Sequence, residues 1–134
     1  MKISIAHGHR PTREVLARAL ASQLQAEVTP FSSVENVLVS SLDYDIFVVY
    51  NNFERNMDGI TGVSKIREQK PHAFIIGVSY KPYYEKKFLP AGADAFLLRA
   101  GNEIEELVRI IQTHPKSHAA DDRRRSATAP EERP

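Results

Sequence analysis

The chain has 134 residues, which is enough for one domain with a sizeable core and no more. Hydrophobic residues make up 42% and charged residues 26%, as in ordinary soluble proteins, and the absence of cysteine excludes disulfides and fits a reducing cytoplasm. Residues 1–115 carry 13 basic and 13 acidic side chains, so the net charge of +1 gives no basic face for binding nucleic acid.

The first part of the chain alternates apolar runs with amphipathic segments. Residues 3–6 predict a first strand and residues 27–31 a second. Between them, residues 11–25 predict a helix, because a proline suits its first turn. The apolar stripe of this helix at helical spacing is Val15, Leu16, Ala19, Leu20 and Leu24. Residues 33–41 predict a second helix with a serine N-cap, and the continuous apolar run at 45–50 predicts a strand buried on both faces.

The middle of the chain continues the alternation. Residues 51–59 predict a loop, because they end in an Asp-Gly turn signal. Residues 61–69 predict a third helix and residues 74–78 a fourth strand. Residues 83–88 predict a short fourth helix that Pro90 and the glycine after it close.

The last two elements complete an α/β pattern. Residues 95–98 predict a fifth strand, and residues 103–113 predict a fifth helix whose first turn carries three glutamates that favour the helix dipole. Five strands alternating with five helices favour a doubly wound parallel sheet, the flavodoxin-like order among the possibilities. Residues 114–134 lack apolar periodicity, so we expect a domain at 1–113 and a disordered tail or linker after it.

Three segments match a known family in their order and spacing: Met-Asp-Gly at 57–59, Ile-Ile-Gly-Val-Ser at 75–79, and Gly-Ala-Asp-Ala-Phe-Leu at 92–97. Over about residues 2–113 the chain resembles the receiver domains of response regulators, the proteins of two-component signal transduction. The resemblance implies the (βα)5 receiver fold. It also implies an aspartate at the end of the third strand that accepts a phosphoryl group, an acidic pair after the first strand that helps to bind Mg²⁺, and a Thr or Ser and a Lys after the fourth and fifth strands.

The chain departs from the family at most of these positions. The residues at the family's site positions are His7, Gly8, Tyr50, Asn51, Ser79 and Arg99, and only Ser79 matches the family. The phosphoacceptor position falls on Tyr50 when counted along the third strand and on Asn51 when counted back from the glycine at 59. Neither is a carboxylate, and His7 and Gly8 offer no oxygen ligand to Mg²⁺, so we expect no metal, no cofactor and no enzymatic activity. Only Glu54 or Asp58 could supply a carboxylate near the cleft.

The leading hypothesis is therefore a phosphorylation-independent pseudo-receiver that acts in signal transduction or transcription regulation. We expect it to bind a signalling protein, or a second copy of itself, through the face formed by the fourth helix, fifth strand and fifth helix. The aromatic anchors of this face would be Tyr80, Tyr83, Tyr84 and Phe96. We expect Phe88 to be buried and at least one of Tyr83 and Tyr84 to be exposed, because two residues that are adjacent on a helix cannot share one face.

Two further hypotheses stay open. The former cleft could bind a small anion through His7, His9, Lys81 and Arg99. The competing interpretation pairs Arg99 with Glu54, Asp58 or Asp94 and makes the two histidines ordinary loop residues. The chain could also be the regulatory part of a DNA-binding regulator, which would reach nucleic acid only through another domain. No apolar run is long enough to span a membrane and no secretory signal is visible, so we expect a cytoplasmic protein.

Overall fold

The structure, a computed structural model, describes residues 1–53 and 57–116. The five strands are β1 (Lys2–Ala6), β2 (Glu27–Phe31), β3 (Ile46–Tyr50), β4 (Phe74–Ser79) and β5 (Ala95–Leu98). The helices are α1 (Arg10–Leu24), α2 (Val34–Leu38), α3 (Gly59–Gln69), α4 (Glu85–Ala91) and α5 (Glu103–Thr113), and a 3-10 turn, Pro82–Tyr84, precedes α4. The predicted alternation of strands and helices is confirmed, and most boundaries agree with the prediction to within two residues; the ends of α2 and α4 each differ by three.

All strands are parallel and lie in the order β2-β1-β3-β4-β5. This is the predicted flavodoxin-like order. The chain winds outward from β1 to β2, then returns across β1 to β3 and continues to β4 and β5. In such a sheet the carboxyl ends of β1 and β3 meet at the point where the winding direction reverses, which is where ligand sites form.

The core lies on both sides of the sheet, because every residue of β3 and β4 is buried. On one side, Leu16 of α1 and Leu107 of α5 pack with Ile5 and Tyr50. On the other side, α2, α3 and α4 cover a second cluster that contains Val34, Ile66 and Phe88. The continuous apolar run of β3 was predicted to be buried on both faces, and this prediction is confirmed.

Three local predictions are wrong. Pro90 does not close α4 but lies inside its last turn, where the buried Phe88 anchors the helix and the chain leaves at Gly92 with φ of 126°. Tyr83 and Tyr84 lie in the 3-10 turn and not in the predicted helix, and their rings stack with centroids 4.6 Å apart; Tyr83 is exposed, as was expected of at least one of the two. Val15 does not face the core but is 49% exposed.

The amino ends of the strands are closed by a polar cluster around Asp94. Its carboxylate binds the Arg67 guanidinium and the Lys116 ammonium group, each at 2.7 Å, and accepts the Ile75 N–H at 2.8 Å. His114 stacks on Phe74 with centroids 4.5 Å apart. The first residues of the predicted tail thus contact the domain, and the rest of that prediction, residues 117–134, lies outside the described residues.

None of the helices in the described ranges is both long enough and apolar enough to cross a membrane.

Candidate functional site

The carboxyl ends of β1, β3, β4 and β5 bring four of the predicted site residues to one edge of the sheet. His7 follows β1, Tyr50 ends β3, Ser79 ends β4 and Arg99 follows β5. His7 and Tyr50 are each 1% exposed, and Ser79 is also buried. Arg99 is the partly exposed member of the four, with 35% of its side chain accessible. The edge is therefore closed by packed side chains at β1 and β3.

The imidazole of His7 is held as a neutral ring. Its edge meets the ring of Tyr50 with centroids 4.4 Å apart, and its Nδ1 accepts the backbone N–H of His9 at 3.0 Å. Because Nδ1 accepts this bond, a neutral ring carries its proton on Nε2. Burial, followed by the charges of Arg99, His9 and Arg13, lowers the pKa of His7 from 6.5 to about 4. The ring is uncharged at neutral pH.

Tyr50 fills the end of β3 with a neutral phenol. Its hydroxyl group donates a hydrogen bond of 2.5 Å to Oε2 of Glu103 at the start of α5. Burial, and then this hydrogen bond to a carboxylate, raise the pKa of the Tyr50 phenol far above its ordinary value of 10.0. The group is thus a hydrogen-bond donor and not a nucleophilic phenolate.

Arg99 forms an ion pair, as the competing interpretation expected, but with a carboxylate that the sequence did not indicate. Its Nε lies 3.0 Å from Oε1 of Glu103. Asp94 lies at the opposite end of the sheet, and Asp58 caps α3 by accepting the N–H of Thr61 at 2.7 Å. The alternatives Asp58 and Asp94 are therefore wrong, and Glu54 lies outside the described residues.

The loops around His7 and Tyr50 are braced by two asparagines. The side-chain oxygen of Asn51 accepts the N–H of Gly59, and that of Asn52 accepts the N–H of Gly8, both at 2.9 Å. A Cβ on Gly8 would lie 2.4 Å from the Asn52 carbonyl oxygen, so only glycine allows this close approach. Asn51 and Gly8 serve here as structural residues of the loops.

The other predicted anion-binding residues are engaged locally. Ser79 Oγ accepts the N–H of Lys81 at 3.2 Å, and the Lys81 ammonium group lies 5.7 Å from the centroid of the Tyr80 ring. His9 Nδ1 lies 2.7 Å from the hydroxyl oxygen of Thr12. The described residues contain no group of three or more His, Asp or Glu side chains placed to hold a metal ion.

Two of the four aromatic anchors predicted for the face of α4, β5 and α5 are exposed, and both lie in the segment between β4 and α4. Tyr80 and Tyr83 are 63% and 53% exposed, and Leu98 of β5 is 40% exposed. Tyr84 and Phe96 are partly buried and pack on the core around Phe88. Phe88 itself is buried, as predicted. Two of the four predicted anchors are therefore available on the surface of the single chain.

Glu103 and Asn52 are the site residues that the sequence did not single out. Glu103 was counted only among the three acids of the first turn of α5. Its spacing of four residues from Arg99 was a signal, but this spacing predicts contact only inside a helix, and Arg99 precedes α5.

Solved structures of bacterial receiver domains share this fold. The BeF3-activated receiver domain of DrrB matches with a TM-score of 0.73 and 19% identity over 83% of this chain and 93% of that one. The chain also covers 50% of DrrB from Thermotoga maritima, an OmpR/PhoB homologue. CheY4 of Vibrio cholerae, a chemotaxis protein, matches with a TM-score of 0.69 and 18% identity over 83% and 95% of the two chains.

A DNA-binding response regulator of the LuxR family from Staphylococcus aureus matches with a TM-score of 0.71 and 20% identity over 83% and 95% of the two chains. No protein-family model and no characterised protein sequence matches the chain. Because the identities are this low, the similarities show a common fold only. The function has to be inferred from the residues of the cleft.

Proposed function

We propose that the chain is a receiver-like signalling module that works without phosphorylation and acts by binding a protein partner. The observation that supports this proposal best is Tyr50, which ends β3 at one of the two positions, Tyr50 and Asn51, on which the phosphoacceptor aspartate of receivers falls. Its ring is buried against His7, and its hydroxyl group is bound to Glu103. In the proposal this buried side chain takes the space beside β3 that a phosphoryl group would need.

The donor atoms at the edge do not suit Mg²⁺, the metal that receiver domains use. Mg²⁺ prefers hard oxygen ligands, above all carboxylates, in octahedral geometry. The ends of β1 and β3 present an imidazole and a neutral phenol, and the carboxylate that the described residues place beside them, on Glu103, is already bound by Tyr50 and Arg99. We therefore assign the cleft no metal.

The same residues do not suit acyl-phosphate chemistry. A carboxylate nucleophile is needed to form that intermediate, and Asn51 offers only an amide whose oxygen accepts the N–H of Gly59. The phenol of Tyr50 donates its proton to a hydrogen bond and has a raised pKa, so it lacks the charge of a nucleophile. We propose that the module signals through contacts and not through turnover.

The partner surface in this proposal is the face of α4, β5 and α5. Leu98 lies in β5, and Tyr80 and Tyr83 lie in the segment that leads into α4. All three side chains are exposed, and aromatic side chains are frequent anchors of protein interfaces. The occupant would be a signalling protein, a second copy of the chain, or an attached output domain such as a DNA-binding domain. The anion hypothesis is less favoured, because His7 is buried and Arg99 is paired.

The first experiment records amide NMR spectra of the chain with Mg²⁺ and beryllofluoride, a mimic of the acyl phosphate. We expect no saturable shifts at Tyr50, Asn51, Ser79 or Arg99. A receiver domain with an intact acidic cleft serves as the positive control under the same conditions. Saturable, Mg²⁺-dependent shifts at these four residues would show that the cleft still binds the mimic and would refute the proposal.

A second experiment tests the surface by sedimentation of the full chain over a range of concentrations. If two copies associate through the proposed face, Tyr83→Ala should weaken the dimer about tenfold or more, because exposed aromatic anchors contribute much of the binding energy. Val39→Ala is the matched control, since Val39, the C-cap residue of α2, is 84% exposed and lies outside this face. A dimer that only the Val39 variant weakens would contradict the assignment of the face.

A further inference from the structure

Glu103 joins three separate parts of the structure through one carboxylate. Its Oε2 accepts the hydroxyl group of Tyr50 at the end of β3, 53 residues earlier in the chain, and its Oε1 accepts Nε of Arg99 at the end of β5. Glu103 itself is the first residue of α5. Its side chain is only 14% exposed, so solvent screens both contacts weakly. We call these three residues and their two contacts the clasp.

The loop that the clasp spans, residues 100–102, has few other contacts. A Cβ added to Gly101, which has φ of 92°, would meet no atom within 4 Å. Asn102 is the N-cap residue of α5, but its side chain makes no capping hydrogen bond. Ala100 is exposed. The loop is therefore positioned from its two ends, where Arg99 and Glu103 stand.

The loop also forms one wall of a groove. A depression of about 430 Å³ lies between the start of α1 and the start of α5. Its walls include Pro11, Val15 and Gly101, and Val15 is the apolar residue of α1 that the core leaves exposed. Because the first turn of α5 lines this groove, a displacement of that turn would change the width of the groove. The contacts of the clasp, which hold this turn, therefore also affect the shape of the groove.

We propose that the clasp of Tyr50, Glu103 and Arg99 is a built-in lock that holds the loop between β5 and α5, and the first turn of α5, in one position. This inference deepens the proposed function and rests on it, because it names the contacts that keep the module in a single state without a covalent switch. The groove between α1 and α5 keeps its shape for as long as both contacts of the clasp are formed.

A simpler explanation is that Glu103 acts only through the dipole of α5. Acidic side chains in the first turn of a helix stabilise it whether or not they bind anything else. Glu105 lies in the same turn and is exposed, so it shares the dipole effect and lacks the two contacts. Comparing Glu103→Ala with Glu105→Ala therefore distinguishes the effect of the two contacts of Glu103 from the effect of the helix dipole.

The test measures amide hydrogen exchange at two reporters on either side of the loop. The N–H of Arg99 donates to Ser79 O at 2.8 Å, and the N–H of Glu106 donates to Asn102 O at 3.1 Å. Loss of a hydrogen bond to a charged group corresponds to about a tenfold or greater change in a local opening equilibrium. We expect Glu103→Ala to speed exchange at both reporters by that factor.

A double-mutant cycle then tests whether the parts act together. Tyr50→Phe should speed exchange at the same amides in the parent chain and have no further effect in the Glu103→Ala background. Exchange at Ile76, in the centre of β4, reports global opening and is used to correct for it. If Tyr50→Phe destabilises the whole fold, Arg99→Gln gives the same test from the partly exposed end of the clasp.

The two proposals fail in different ways. Unchanged exchange in Glu103→Ala, a change that Glu105→Ala reproduces, or equal effects of Tyr50→Phe in both backgrounds would each overturn the lock. None of these results bears on the binding of beryllofluoride. Conversely, a saturable response of the parent chain to beryllofluoride would refute the proposed function and leave the exchange results to decide the lock.

Discussion

The buried imidazole of His7 makes the stability of the fold depend on pH. In the folded chain its pKa is about 4, because burial and the charge of Arg99 oppose protonation. In the unfolded chain the pKa returns to about 6.5. Below that value the unfolded chain therefore binds more protons than the folded chain, so stability falls as the pH drops from 6.5 towards 4. Protonation of Nδ1 would also break the hydrogen bond from the His9 N–H.

The size of the effect follows from the two pKa values. The full difference corresponds to about 3 kcal/mol, of which about 2 kcal/mol is lost between pH 7.5 and pH 5. The variant His7→Asn keeps an acceptor oxygen and removes the titrating group. Urea unfolding at pH 7.5 and pH 5 should therefore show that the free energy of unfolding of the parent chain falls by about 2 kcal/mol more than that of the variant.

The control is His9→Gln, because His9 is the exposed neighbour of the same loop. This variant should keep most of the pH dependence of the parent chain, because burial, and not the charge of His9, is the main cause of the lowered pKa of His7. Parallel pH profiles for the parent chain and His7→Asn would mean that His7 titrates normally in the folded state. Burial would then not lower the pKa of His7, and the neutral ring assigned to the site would be wrong.

Two further predictions concern the sheet. Gly77→Ala should destabilise the fold by about 1–3 kcal/mol in urea, because its Cβ would lie 2.5 Å from the ring of Phe88; an unchanged unfolding midpoint would show that the ring can move aside. Asp94→Asn should cost about 1–3 kcal/mol, because it removes the charge that pairs with Arg67 and Lys116 while the amide oxygen can still accept the Ile75 N–H. A loss below about 0.5 kcal/mol would mean that these pairs are solvent-screened.

The fold was predictable because its apolar pattern is regular. The run at β3 is apolar at every position and is buried on both faces, and the stripe of α5 places Leu107 and Ile111 in the core. A parallel sheet with helices on both faces then follows from the alternation of elements. Val15 breaks the pattern, since it belongs to the apolar stripe of α1 but faces the groove beside α5.

Local geometry around α4 was harder to predict from propensity. Proline inside a helix removes one hydrogen bond, which predicts that the helix ends before Pro90. Phe88 is fully buried and packs against Tyr84 and Phe96, and this packing holds the helix for one more turn. Tertiary contacts of one aromatic side chain thus override a local preference that is correct on average.

The site was predictable in its location and only partly in its contacts. His7, Tyr50 and Arg99 follow or end parallel strands, so the strand topology brings them to the same end of the sheet independently of their side-chain contacts. The partner of Arg99 depended on the direction in which α5 leaves the sheet. That direction brings Glu103 within reach of β3, although 53 residues separate it from Tyr50. A contact of this kind has no periodicity to reveal it.

Tyr50 connects the proposed function to the stability of the fold. Its ring belongs to the same buried cluster as Ile5, Leu16 and Leu107, so it contributes to the core as well as closing the cleft. Truncating a buried aromatic residue costs about 3–5 kcal/mol, a large fraction of the stability of a small domain. Restoring a carboxylate at this position would therefore remove core packing and place a charge beside Glu103. On the proposed function, the side chain that excludes phosphoryl chemistry also stabilises the module.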